Sequence, residues 1–177
     1  KRQIRATRIL ARVIDEEKDS LARKFVGFYQ SMHKNPKRFL GLTVQHHVEE
    51  IKKLVDRHEA KTLLDYGCGK GMQYLGHRVH QQWGGILPHC YDPGVFGLHK
   101  KPYGKQFDGV ICCDVLEHIP ELLVEEVVEE LLSFATHFVY ANIALSPAGK
   151  NLPNGQNAHV TLKPPAWWQE RFDKNST

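Results

Sequence analysis

Apolar residues recur at three- and four-residue steps near the start of the chain, at Leu10, Val13 and Ile14 and then at Leu21, Phe25, Phe28, Tyr29 and Met32. That spacing gathers them on one helical face and predicts one or two amphipathic helices before Asn35-Pro36. A further helix is predicted over 43–58, with Val44, Val48, Ile51, Leu54 and Val55 on one face, cations toward its C-terminal end, and Thr43 as its N-cap. The period then changes. A short apolar run over 61–66 leads into Gly67-Cys-Gly-Lys-Gly71, and 72–79 reads as helix. Residues 86–92 read as a strand made irregular by Pro88, and 107–114 as the clearest strand, because Val110 to Cys113 is unbroken apolar sequence. After Pro120, Leu122, Leu123, Val127, Leu131, Leu132 and Phe134 outline a long amphipathic helix, and 137–143 is a last strand. Strands alternating with helices predict an α/β fold, a doubly wound, mostly parallel sheet covered on both faces, preceded by a helical arm.

The 177 residues are 41% hydrophobic and 25% charged, which suits one globular domain with its own core and excludes a disordered or fibrous chain. No apolar run approaches the roughly 18 residues of a membrane span, and 1–12 has no apolar core of the signal-peptide kind. Cys68, Cys90, Cys112 and Cys113 form no CxxC pair, and the adjacent pair would face opposite sides of a strand, so a reducing, cytoplasmic compartment is expected. The eleven histidines show no HExxH-type spacing, so no metal is assigned. Charge does change the picture. Residues 1–45 hold eleven Lys and Arg against four acids, whereas 46–177 hold thirteen against sixteen. The basic arm has two readings: a surface that steers nucleic acid, anionic glycans or acidic headgroups, or a solvated helix face.

Ligands of open parallel sheets bind at the carboxyl ends of the strands. Asp65, Asp92 and Asp114 each fall near such an end, and three acids there suit a hydroxyl-rich ligand carrying an ammonium group. Gly67, Gly69 and Gly71 form GxGxG, and Met72 stands where the dinucleotide fingerprint GxGxxG needs glycine. The phosphate loop of nucleotide triphosphatases is absent too. The turn therefore suits close backbone approach to a ligand without a pyrophosphate.

Leu63-Leu-Asp-Tyr-Gly-Cys-Gly-Lys-Gly71, Tyr91-Asp92 and Phe107-Asp-Gly-Val-Ile-Cys-Cys-Asp-Val-Leu-Glu-His-Ile-Pro120 together resemble the class I S-adenosylmethionine-dependent methyltransferases. The resemblance implies a Rossmann-like domain over 46–177 behind an arm over 1–45, with S-adenosylmethionine as cofactor and S-adenosylhomocysteine as product. It places Gly67, Cys68, Gly69 and Gly71 under the cofactor's amino-acid moiety and ribose, Asp65 at the ammonium end and Asp92 on the ribose hydroxyls. Cys113, Asp114 and Val115 would line the methionine side, with His118 just beyond.

The stretch from Asn154 to Trp168, with its Ala-His-Val-Thr, is similar to a His-containing strand-to-helix segment of small-molecule and glycan-modifying members. It implies methyl transfer to an O or N atom of such an acceptor. His159 is then either the general base or a loop-bonding residue, and His118 either a second catalytic group or a packing residue. A nucleic-acid methyltransferase is the alternative, favoured by the arm but lacking Asn/Asp-Pro-Pro-Tyr/Trp, since Asn142 precedes Ile-Ala-Leu. A cofactor-binding module without catalysis is a third. Only fourteen residues, 93–106, separate the second strand from the clear one, so the usual third strand should be short or missing, and the sheet is expected to be reduced or truncated at its C-terminal end.

Overall fold

The computed structural model describes the backbone of residues 2–176 and the side chains of 12–176; Leu10 and the basic side chains of 1–11 lie outside the described residues. The elements run α1 (Arg2–His33), α2 (Val48–Arg57), β1 (Leu63–Tyr66), α3 (Met72–Leu75), β2 (His89–Tyr91), β3 (Phe107–Cys113), α4 (Glu121–Phe134), β4 (Ala135–Asn142) and α5 (Pro165–Asn175). The four strands form one sheet in the order β2-β1-β3-β4. Every neighbouring pair is parallel, so the sheet is the expected Rossmann-like α/β type with its strand order reversing between β1 and β3.

Alternation along β3 builds the two faces. Ile111 and Cys113 join Ile51, Val55, Leu63 and Trp83 in a core beneath α2, while Val110 and Cys112 join Leu64, Val124, Val128, Leu131 and Trp168 beneath α4 and α5. This is the period-2 arrangement of a strand buried on both sides. Gly109 leaves the space that the Phe138 ring fills on its neighbour β4.

Several boundaries differ from the sequence expectation. The N-terminal pattern forms one 32-residue helix; Val13 is 53% exposed, Leu21 is half-buried, and Phe25, Phe28 and Tyr29 pack around the buried Met32. The 43–58 helix is split: Thr43–His46 is a 3-10 turn and α2 starts at Val48. Thr43 does not cap it, because its hydroxyl donates to Asp114 Oδ2 at 3.1 Å. The helix expected over 72–79 is α3, a single turn, which ends at Gly76 before the left-handed Arg78 (φ 50°). β2 keeps only three residues of the predicted run, and among the described residues no strand forms in 93–106. No helix of the described residues is long and apolar enough to cross a membrane.

Candidate functional site

A cleft of about 1420 Å³ opens at the carboxyl ends of β1, β2 and β3, at the point where the strand order reverses. Its floor includes Gly67 and Gly69, its flanks Asp92 and Cys113 to Val115, and its far wall His118 and His159. Side chains of α1, among them Phe25, Tyr29 and His33, roof it.

The floor is held by the chain just before α2. Lys70, Met72 and Gln73 donate backbone N–H groups to the carbonyls of Phe39, Leu40 and Gly41 at 2.9–3.0 Å. The first N–H groups of α3 are thereby satisfied, so this turn has no anion cradle of the kind that grips a pyrophosphate. Gly69 sits at φ +57°, and a Cβ there would lie 2.7 Å from the Phe39 carbonyl oxygen. At Gly67, φ +80°, a Cβ would run into Val115. Both glycines are needed for close approach as well as for left-handed backbone.

The three acids separate. Asp65 is 2% exposed and does not line the cleft. Its Oδ2 accepts from Gln73 Nε2 and Tyr74 Oη, each at 2.8 Å. Burial pushes its carboxyl up to about 7 against those two bonds. Here α3 lies against the strand and takes as an internal acceptor the carboxylate that the sequence leads one to expect at the ammonium end of a ligand. Cys68 and Gly71 of the turn likewise do not line the cleft; Cys68 is buried, with its thiol pushed up by a contact with Cys90 and by desolvation.

Asp92 does face the cleft. Its two oxygens accept from Gly69 N–H at 2.9 Å and Gly94 N–H at 2.8 Å, with His33 Nε2 at 3.6 Å. Burial raises the Asp92 carboxyl and lowers the His33 imidazole, each partly opposed by the partner. Asp114, at φ 54°, accepts from Asn142 Nδ2 at 2.7 Å and from Thr43 Oγ1, which fixes its carboxylate at the mouth of β3. The Cys113 thiol beside it is pushed up by burial, which suits an apolar lining group and not a nucleophile.

His118 and His159 meet edge to face, with ring centroids 4.7 Å apart. His118 Nδ1 lies 2.9 Å from the Ala158 carbonyl and 2.9 Å from Tyr29 Oη; burial lowers it to about 4, so it is neutral at pH 7. His159 Nδ1 lies 2.6 Å from the Ser146 carbonyl, and its Nε2 is 4.0 Å from Glu117 Oε1. Glu117 is fully buried, accepts from the Ala144 N–H at 3.0 Å, and is raised to about 7 by desolvation. The sequence pattern marks Thr43 only as a helix cap and does not single out the 39–41 segment; the roles both take here are purely tertiary. Asn142 carried a signal: a polar residue closing an apolar strand.

No protein-family model matches the chain, and no curated protein sequence matches it. Among solved structures it is similar to an O-methyltransferase family protein from Burkholderia thailandensis, 14% identical with a TM-score of 0.55 over 77% of this chain and 52% of that one. It is also similar to magnesium protoporphyrin IX methyltransferase from Synechocystis, solved with bound SAH, 20% identical with a TM-score of 0.51 over 74% of this chain and 72% of that one. The chain spans about half the length of the Burkholderia protein. At these identities the likeness is one of fold: the chain has the Rossmann-like fold of these methyltransferases.

Proposed function

We propose that the chain is an S-adenosylmethionine-dependent methyltransferase acting on an O or N atom of a small-molecule or glycan-type acceptor. One observation carries the reading: in a fold shared with methyltransferases, a single cleft at the strand-order reversal brings together Gly67, Gly69, Asp92 and the Cys113 to Val115 strand end. Those are the residues the sequence resemblance puts around the cofactor, with Asp65, Cys68 and Gly71 behind them. The residues fit the cofactor. Asp92 offers a carboxylate to ribose hydroxyls, the glycines leave room for close approach, and the filled N–H groups of α3 favour a ligand without pyrophosphate. The cleft exceeds the roughly 300–1,000 Å³ typical of a single small-molecule site, which leaves space for an acceptor beside the cofactor.

The cofactor brings an activated methyl group on a sulfonium, and transfer then depends mainly on proximity and alignment. The chain's part is to hold both partners. Asp92 and the glycine turn bind one end; Asp114, fixed by Thr43 and Asn142, shapes the middle; His118 and His159 stand at the acceptor side. Calorimetry should show binding of S-adenosylhomocysteine and none of NAD. Asp92→Ala should weaken that binding by about 1.5–3 kcal/mol, the value of a hydrogen bond to a charged group, and Asp92→Asn, which keeps the acceptor oxygen for Gly69, controls for loss of the turn. Unchanged affinity in Asp92→Ala would remove Asp92 from the site, and no binding by the intact protein would remove the cofactor assignment.

A further inference from the structure

We infer that Glu117, His118 and His159 form a binding site for a divalent transition-metal cation at the acceptor end of the cleft. Among the described residues, these three side chains each bring a ligand atom to within 4.8 Å of one another. The sequence hides the set, because the first two are adjacent and His159 arrives from a later loop.

Three features point to a ligand and not to packing alone. The first is Glu117. It is 0% exposed, and although Oε1 takes the Ala144 N–H, Oε2 has no partner at all. A buried carboxylate oxygen left unpaired is costly, and a cation resolves it. The second is the tautomer of the two histidines. A carbonyl oxygen only accepts, so the contacts to Ala158 and Ser146 put the hydrogen of both imidazoles on Nδ1. Nε2 of each ring is left with a lone pair. Holding Nδ1–H on a backbone carbonyl is how metal-ligating histidines are oriented. The third is access: His118 and His159 line the cleft, so an ion can enter and keep an open position toward it.

Two imidazole nitrogens and one carboxylate are the donor set of open catalytic zinc sites and of related iron sites. The imidazoles select against magnesium and calcium, which prefer oxygen. Ligands on a tetrahedral ion with bonds of about 2.0–2.1 Å stand roughly 3.4 Å apart, so the set closes inward by an ångström or so on binding. His159, on a loop and held by Ser146, is placed to make that movement. On the methyl-transfer reading, which this last point alone requires, the open position takes a hydroxyl oxygen of the acceptor and makes that hydroxyl a stronger acid.

Protein stripped with EDTA should take up one Co²⁺ per chain, read by its visible absorption, with Zn²⁺ displacing it and Mg²⁺ failing to. Glu117→Gln, which keeps the bond from Ala144, and His159→Ala should each weaken Co²⁺ binding at least tenfold, whereas His46→Ala/His47→Ala leaves it unchanged. In the unmodified protein, NMR should show Co²⁺ shifting the ring protons of His118 and His159 before those of any other histidine, a readout that no variant's folding can spoil. The inference is overturned if Co²⁺ binds no tighter than millimolar, or if it shifts other histidines first. Binding of S-adenosylhomocysteine is measured on the same sample: its survival alongside absent metal uptake defeats this site alone, and its loss alongside intact uptake defeats the cofactor assignment alone.

Discussion

Replacing Asp65 with asparagine tests whether burial or hydrogen bonding governs the acid beneath the glycine turn. Its carboxyl is raised from an ordinary 3.8 to about 7, chiefly by desolvation, even though Gln73 and Tyr74 both donate to it. An acid whose folded-state value exceeds its unfolded value keeps its proton longer in the native chain. Between pH 4 and 7 the unfolded chain has lost a proton that the folded chain retains, so this group favours folding most at low pH, and that contribution falls as pH rises and is lost through 7. Each unit of separation is worth about 1.4 kcal/mol, so moving from pH 5 to pH 7 should cost the native protein up to roughly 2.7 kcal/mol through this one residue. The Asp65→Asn side chain keeps an oxygen to accept both bonds and carries no titrating proton. Urea unfolding at pH 5 and pH 8 should therefore show Asp65→Asn gaining on the wild type at the higher pH by about 2–3 kcal/mol. Asp65→Ala should instead lose about 2–6 kcal/mol at pH 5, because it leaves two buried donors unpaired, and this deficit should shrink at pH 8 by the same roughly 2–3 kcal/mol, since alanine carries no titrating proton either. An Asp65→Asn difference that is the same at both pH values would mean the carboxyl is ionised throughout, and the account of its burial would be wrong.

Packing and surface charge set three further outcomes. Gly109→Ala puts a methyl group into the Phe138 ring and should lower stability by about 1–3 kcal/mol, seen as a drop in Tm that Phe138→Leu in the same chain partly restores. The Lys18–Glu126 pair at 2.6 Å joins α1 to α4 at the surface, so Lys18→Gln should change stability by less than about 1 kcal/mol in the same urea titration. Met32→Ala, which opens the cluster holding α1 to Leu152 and Ala158, should cost about 2–5 kcal/mol, with faster hydrogen exchange along the second half of α1 as the check.

What the sequence reveals and what it hides divide along range. β3 was legible because a run of apolar residues with alternating destinations is a local signal, and its Val110 and Ile111 do point to opposite cores. The glycine turn was legible for the same reason. Asp65 and Asp92 present the same local pattern, an acid at the end of an apolar run, yet only Asp92 faces the cleft. The difference lies in Gln73 and Tyr74 of α3, which donate to Asp65 and keep it turned inward. Thr43 reads as an N-cap until Asp114, far along the chain, competes for its hydroxyl. The grouping of Glu117 with His118 and His159 likewise depends on the path of 143–159, which no periodicity encodes.

The reduced sheet also explains the reach of the N-terminal helix. With no strand formed in 93–106, β2 is the sheet's edge, and its carboxyl end would leave Asp92 open to water on one side. The end of α1 covers that side. His33 packs so closely on Gly94 that a Cβ there would lie 2.7 Å from its ring, Gln30 donates to the Pro93 carbonyl at 3.4 Å, and Lys70 reaches back to the carbonyls of Asn35 and Arg38 at 2.7 Å. The following segment, Phe39 to Thr43, then supplies acceptors for the glycine turn and a hydroxyl for Asp114. Residues on both sides of position 45 thus build one cleft. The amphipathic pattern that begins the chain also forms a wall of the site, with Phe25, Phe28 and Tyr29 packed around the buried Met32 while Val13 stays in water.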